Sequence, residues 1–545
     1  MGWQVGDEIG IATTTRSGSP RHTITAINGN NITIDGPLAS IHWGGTRTIE
    51  GYTLEMAAEV INIQRSVLIT GDDPEFNNPN SESFLVGFHT GTFNVGTPND
   101  SIYDIRYTRL ENCGQKDILG RYCLHFHMKS NCTNCYAKGN AVVNSAQAAI
   151  TIHATHDSTV EENVLWDSVT VGVYTEDGQE MNNMIVRNVM ICSIQDKCKF
   201  GTNNNNWQAE SGVKEGGIFF FGMTNNVIEN RVAGHEHGMW TPGSAIGHGK
   251  GSSVGKICPQ YVPFLQIKGN VFHDCFRFGM YPDNQYPRQL VRDENGFVVK
   301  NAAGQMESCL QFKSDGIDNG AVPANLIEDQ FDWHNMFVGQ YYVGDISYKG
   351  LISVNNAHGM YWKRSKNFAD GVSYHIQDSV FINDPNDHVA GIFHSFLPGG
   401  QFTFRMKDVT YAGGRQHANM GVIAAPQHCG LGAEAAGTCL VHYLFENVDF
   451  TGVHNAGTHV SFGASGGNPM APMYISFDSS LAGIAEIVSP QLNGFENIPG
   501  CAKTSSLYGG GYACDQSVHI RRLVLWASNM RNIKISGPGY DVSPD

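Results

Sequence analysis

Asn163-Val164-Leu165-Trp166-Asp167-Ser168-Val169-Thr170-Val171-Gly172-Val173-Tyr174 is a unit this chain repeats. An Asn starts it, apolar residues follow, and it closes on Gly, an apolar residue and an aromatic. It returns as Asn230-Arg231-Val232 leading to Gly238-Met239-Trp240, and as Asn270-Val271-Phe272 leading to Gly279-Met280-Tyr281. A shorter version ends in Gly359-Met360-Tyr361, and Asn188-Val189, Ser379-Val380 and Asn447-Val448 keep the same rhythm. A unit this short cannot bury an apolar face alone, so neighbouring units must stack. Strands of about four or five residues, recurring at roughly 22–30 residues, are the rungs of a parallel β-helix. A propeller blade needs units of about 40–45 residues and a GH…WD signature, which is missing. An immunoglobulin-type array needs longer alternating strands and a Cys–Trp–Cys spacing.

The rest of the chain agrees. Its 545 residues can fill a large core, and no stretch rich in Ala, Leu, Glu and Lys runs at helical period. The 63 glycines and the Asn pairs Asn182-Asn183 and Asn225-Asn226 are expected to serve turns that need positive φ. Four long insertions break the rhythm: Cys198 to Gly216, Thr241 to Gln260, Asn284 to Asn319 and Ala424 to Thr438. Loops of this length are expected to wall a groove along one edge. Residues 1–400 read as β-helix with an N-terminal β segment. Residues 401–545 read as its continuation and a capping segment, with Leu444 to Phe450 and Ile520 to Trp526 as strands.

A net charge of −16 excludes nucleic acid as the natural partner, because phosphate backbones reward clustered Lys and Arg. No apolar run is long enough to span a bilayer, and no signal peptide is visible. The abrupt start at Trp3-Gln4-Val5-Gly6 reads as a fragment, or as a mature product whose targeting signal lies upstream. Among thirteen cysteines, Cys192/Cys198, Cys429/Cys439 and Cys501/Cys514 are spaced as local loop closures. Cys132/Cys135 is read as a disulfide or free thiols ahead of metal, since no second CxxC completes a zinc site. The sequons at Asn31, Asn99 and Asn131 fit a secreted glycoprotein.

Ionisable residues concentrate in Gly120-Arg121-Tyr122-Cys123-Leu124-His125-Phe126-His127-Met128, Ala149-Ile150-Thr151-Ile152-His153 and Val173-Tyr174-Thr175-Glu176-Asp177-Gly178. Alternation at period two puts His125 and His127 on one face and Leu124 and Phe126 on the other. Stacking is expected to set His127 over His153, and Thr175 over both. Glu176 and Asp177 then end the strand, and alternation should aim them apart, so Asp157 or Asp167 is expected to partner one of them. The imidazoles could also form a plain hydrogen-bonded ladder. As a metal site, His127, His153 and Glu176 suit a transition metal, whereas an all-oxygen set suits a divalent cation such as calcium. Two further histidine stretches carry less: His235-Glu236-His237 reads as solvated, because Glu236 points away from its neighbours, and His273-Asp274 is weaker still. Trp240, Tyr281, Tyr361 and Trp362 read either as core caps or as platforms for stacked sugars.

Gly120 to His127 resembles the GRYPxHFH segment of the family of cell-migration-inducing and cell-surface hyaluronidases and fibrocystin-L. Thr175-Glu176-Asp177-Gly178 resembles that family's F-x-E-D-G strand end. Trp3 to Ala12, Ala58-Glu59-Val60 through Ile69-Thr70-Gly71, and Ile218 to Asn230 are similar to its other segments. Cys123 stands where the family carries proline, and the family's glycine-rich N-terminal module is not seen. The resemblance implies a right-handed parallel β-helix at the cell surface or outside it, and binding or depolymerisation of hyaluronan or another acidic polysaccharide. Under hydrolysis, one of Glu176 and Asp177 acts as acid and a second carboxylate as base or nucleophile. Under elimination, Arg121 or a bound cation neutralises a uronate while His127 or Tyr174 takes the proton α to it. The candidate catalytic set is therefore Arg121, His125, His127, His153, Glu176 and Asp177, with Tyr174, Trp240 and Tyr281 against substrate. The competing expectation is a non-catalytic adhesion or spacer protein.

Overall fold

The computed structural model describes residues 2–71, 87–92, 102–115, 118–194, 197–198, 215–241, 264–282, 325–343, 346–364, 374–384, 386–387, 394–397, 404–414, 419–424, 441–453, 458–462, 473–490, 494–505, 508–518, 535–537 and 540–542. They form a parallel β-helix. Each coil gives one strand to a long parallel sheet that starts at Leu124–Asn131 and passes through Ile150–His156, Val171–Thr175, Gly216–Phe220, His237–Thr241 and Phe278–Pro282. Two further strands of each coil, such as Thr159–Glu161 and Val164–Ser168, build the other walls. Inward Leu, Ile, Val, Phe and Met from all walls form one continuous core. Among the described residues no helix is long and apolar enough to cross a membrane. The bulk of all four insertions, Asn99, Cys429/Cys439 and Ile520 to Trp526 lie outside the described residues.

Asn182 takes the expected positive φ, whereas the Asn of the repeat fills a buried corner. Asn140, Asn163, Asn188, Asn230 and Asn270 are fully buried and stacked coil upon coil. Each amide nitrogen donates to the next Asn Oδ1, at 3.0, 2.9, 2.9 and 3.1 Å. Each Oδ1 above the first coil also accepts a backbone N–H from the coil before. The ladder satisfies main-chain groups that the sharp corner would otherwise orphan. Positive φ falls instead on the residue just before: Gly139, Glu162, Arg187, Glu229 and Gly269. The sequence separation between ladder partners runs 23, 25, 42 and 40 residues, yet the bond lengths barely change. Extra chain therefore leaves the coil between strands without disturbing the stack.

The repeat's glycine is likewise chosen for space. Gly172, Gly238 and Gly279 do not have positive φ. A Cβ on Gly172 would lie 2.5 Å from Gly217 O, one on Gly238 2.5 Å from Gly279 O, and one on Gly279 2.5 Å from Gly339 O.

The N-terminal segment forms an antiparallel sheet, Asn31–Ile34, Arg21–Asn28, Glu8–Ile11 and Val60–Asn62, laid on the outer face of one wall. Ala12, Ile61 and Ile63 pack on Val143, Trp166 and Ile191, while Ile49, Leu54 and Met56 pack on Trp333, Val354 and Ile382. Buried charges fasten it. His273 Nε2 meets Glu59 Oε2 at 2.7 Å and His273 Nδ1 meets Asp274 Oδ2 at 2.8 Å. Arg16 donates its main-chain N–H to Asp274 and its guanidinium to His334 O.

Burial opposes the charge on His273, but Glu59 and Asp274 overcome it and lift the pKa to about 9. Burial also opposes the charge on Glu59, and His273 with Arg231 hold that carboxyl down at about 2. The stabilisation from charged His273 is complete below its unfolded value of about 6.5 and is lost as pH rises through 9. That from Glu59 is present above about 4.3 and is lost as pH falls towards 2. The melting temperature should therefore decline from pH 7 to pH 10, and His273→Gln should flatten the decline. An unchanged alkaline slope in that variant would remove His273 as the cause.

At the far end the parallel stack continues through Ile376–Asn383, Phe404–Gly413, Val441–Val453 and Met473–Leu481. It then turns antiparallel through Ile484–Val488, Tyr512–Cys514 and Cys501–Lys503. Disulfides join Cys113–Cys123, Cys132–Cys135, Cys192–Cys198 and Cys501–Cys514. Cys275 is a buried free thiol.

Candidate functional site

Strand register assembles the site. Leu124 pairs with Ile150 and Phe126 with Ile152, all inward, so His125 and His127 face outward and His127 stands against His153. The next coil falls one residue away from expectation. Thr175 pairs with Ile152, not His153, because it continues the inward phase of Val173 and is fully buried. Glu176 N donates to Ile152 O at 3.1 Å, so the residue that reaches His153 is Glu176.

Three imidazoles and two carboxylates thus converge. His127 Nδ1 lies 3.0 Å from His153 Nδ1 and 3.4 Å from His125 Nε2. Glu176 Oε2 lies 3.4 Å from His153 Nδ1 and 3.9 Å from His125 Nε2. Asp177 Oδ2 sits 3.0 Å from His153 Nε2. The expectation that Glu176 and Asp177 point apart fails for a local reason. Strand geometry has ended at Thr175, and the chain turns through Gly178, whose φ is +91°. Alternation no longer applies there.

Glu180 holds the turn, accepting N–H groups from Ala154, Asp177 and Gly178 at 2.9, 2.9 and 2.8 Å. Its burial nonetheless lifts its pKa to about 7. Tyr122 packs edge-on to His125 and hydrogen-bonds the Glu176 carboxylate; burial and that carboxylate push its phenol well up. Burial, then the two neighbouring imidazoles, lowers the pKa of His125 to about 3, which keeps it neutral. For His153, burial alone would act the same way, but Asp177 and Glu176 outweigh it and raise the pKa. Cys123 bonds to Cys113 two residues before His125, so a cross-link anchors the strand where the resembled segment has proline.

Other expected members lie elsewhere. Arg121 is exposed and hydrogen-bonds His89 instead of a carboxylate. Asp167 bonds the main chain and hydroxyl of Ser193, and Asp157 occupies a turn with φ +61°. Neither partners Glu176. Tyr174, Trp240 and Tyr281 are buried in a row of rings with Phe219 and Tyr341, at centroid spacings of 5.0–5.9 Å. At 1%, 7% and 9% exposure they offer no free face to a sugar. Tyr361 and Trp362 lie in the strand His358–Arg364. His235, Glu236 and His237 are buried, not solvated, with Glu236 paired to Arg277 at 2.9 Å. The missed members were Tyr122, a plain tyrosine beside the motif, and Glu180, which no periodicity marks.

A nitrogen-rich set of this kind is unsuited to calcium, which takes six to eight oxygens. A second group of metal-ligating types, Asp167, Cys192 and Cys198, is closed by its own disulfide.

Comparison with known proteins places residues 91–280 under the CEMIP beta-helix family model, a span that contains the whole cluster. Fibrocystin-L of Mus musculus is 28% identical over 321 residues, covering 52% of this chain and 7% of that protein. A G8 domain-containing protein of Dictyostelium discoideum is 28% identical over 317 residues, covering 55% of this chain and 26% of its own. The chain thus spans a small part of these relatives, and it resembles their family through its β-helix. Among solved structures, the tailspike protein gp49 from Pseudomonas phage LKA1 aligns over 87% of this chain and 63% of its own, at 13% identity and TM-score 0.21.

Proposed function

We propose that this is an extracellular β-helix protein that binds and depolymerises an acidic, hyaluronan-like polysaccharide. The observation that carries the reading is the convergence of His125, His127, His153, Glu176 and Asp177 from three successive coils, inside the span similar to the CEMIP β-helix. The four disulfides among the described residues, and exposed sequon asparagines at 31 and 131, favour an oxidising compartment. The two carboxylates take opposite nitrogens of one imidazole, which differs from a pair flanking a glycosidic bond. Elimination fits better. His127, the least buried of the three histidines, takes the proton α to the uronate, the C4–C5 double bond forms as the glycosidic C4–O bond breaks, and the leaving oxygen takes a proton from solvent. Arg121 and His89 at the rim receive the substrate's carboxylate.

The test is incubation of the full chain with hyaluronan, chondroitin, polygalacturonate and alginate, followed by sizing of the products. Chain shortening with the ultraviolet absorbance of an unsaturated uronate is expected, and His127→Ala should abolish it while melting changes little. One observation favours a second reading, a non-catalytic spacer or adhesin: His125, His153, Glu176 and Asp177 are nearly inaccessible. Under that reading no polymer shortens, and His127→Ala lowers the melting temperature.

A further inference from the structure

We infer that the cluster is a mononuclear site for a divalent transition metal of the zinc class, held by His125 Nε2, His127 Nδ1, His153 Nδ1 and Glu176 Oε2. This goes beyond the glycan reading and needs no polysaccharide; His127 is the base of that reading only in the metal-free protein, because ligation through Nδ1 leaves its other nitrogen protonated.

Hydrogen bonding at the far side of two rings comes first. His125 Nδ1 faces Gly120 O at 3.2 Å, a carbonyl that can only accept, so the proton sits on Nδ1 and Nε2 is bare. His153 Nε2 lies 3.0 Å from Asp177 Oδ2, a carboxylate that favours the proton on Nε2 and so leaves Nδ1 bare in the neutral ring. Both bare nitrogens turn towards His127 Nδ1 and the Glu176 carboxylate. The His127 N–H can serve only one of these two lone pairs at a time. A cation can serve both.

The spacing agrees. A tetrahedral ion with bonds of about 2.0–2.1 Å separates its donor atoms by roughly 3.3–3.4 Å. The contacts here are 3.0, 3.4, 3.4 and 3.9 Å, and the three histidine donors all lie within 4.8 Å of one another. The outer contacts repeat a familiar arrangement in which a carboxylate or carbonyl fixes the tautomer of a ligating histidine. Asp177 and Gly120 O are those acceptors, and the Tyr122 hydroxyl orients Glu176. Three imidazoles with one carboxylate select zinc, copper or cobalt over calcium and magnesium.

The full chain, stripped with a chelator and dialysed, should rebind about one equivalent of Zn2+, measured by elemental analysis and by thermal shift. Co2+ should give the intense visible bands of a four-coordinate site. His153→Ala should lower Zn2+ affinity at least 100-fold, and Asp177→Asn by roughly 10–100-fold. Should His153→Ala fail to fold, His127→Gln tests the same point at a more accessible ligand. Stoichiometry below a tenth of an equivalent for Zn2+, Cu2+ and Co2+ would overturn the inference, as would equal binding by the variants or displacement of Zn2+ by Ca2+. The two readings fail separately. Bound zinc without polymer cleavage removes the glycan function alone, and cleavage by protein shown to bind no metal removes the metal alone.

Discussion

Asn163→Ala is expected to cost about 4 kcal/mol of stability, read as a fall in the urea midpoint with the slope unchanged. The side chain lost is fully buried and makes four hydrogen bonds. It donates to Ala137 O at 2.7 Å and Asn188 Oδ1 at 2.9 Å, and accepts from the Asn140 main chain and amide at 3.0 Å each. Asn188 Oδ1 keeps the Asn163 main-chain N–H, so it is not stranded. The Asn140 N–H and one Asn140 amide hydrogen are, and the Ala137 carbonyl loses a donor. Each buried orphan costs about 1–3 kcal/mol. Asn163→Asp should be at least as harmful, since it turns an oxygen towards Ala137 O. A shift no larger than that of an ordinary surface substitution would show that the ladder is ornamental.

Gly238→Ala is expected to cost about 3 kcal/mol or more by overpacking. The new Cβ would fall 2.5 Å from Gly279 O and 2.5 Å from Phe272 Cγ. Neither neighbour can yield easily. The carbonyl belongs to a backbone paired in register with this strand, and Phe272 is a core ring. Gly36→Ala is the control, because its only near atom is His22 Cε1 at 4.0 Å and its φ is ordinary. That change should stay within about 0.5 kcal/mol. Comparable losses in the two variants would mean that lack of space does not explain the repeated glycine.

These two residues also show how far the sequence could be read. The rhythm of Asn, apolar pair, Gly and aromatic disclosed the coil, because period is preserved whatever each residue does inside it. The role expected of these types, turns of positive φ, holds at Asn182 and at glycines such as Gly139 and Gly269, but Asn163 serves a buried ladder, Gly238 a close backbone contact, and Glu162 and Arg187 take the left-handed conformation. Propensity names what a residue tolerates; only the stacked neighbour says why it is there. At the site, alternation placed His127 against His153 correctly, since both lie within strands. It failed at Glu176 and Asp177, where the strand had ended. For Trp240 and Tyr281 the sequence left core cap and sugar platform both open, because what covers a face is set by parts of the chain remote in sequence, and the structure buries them.

The cluster draws its donors from three adjacent coils, one coil per sequence segment. Gene duplication of a single coil would therefore have unequal consequences along the molecule. A copy inserted between the coils of His127 and His153 would part them by one strand spacing, about 4.8 Å, and dismantle the site in one step. A copy added before Leu124 or well beyond Gly178 would lengthen the protein and leave every distance in the cluster untouched. Relatives of this chain should accordingly vary in coil number on either side of these three coils and not within them.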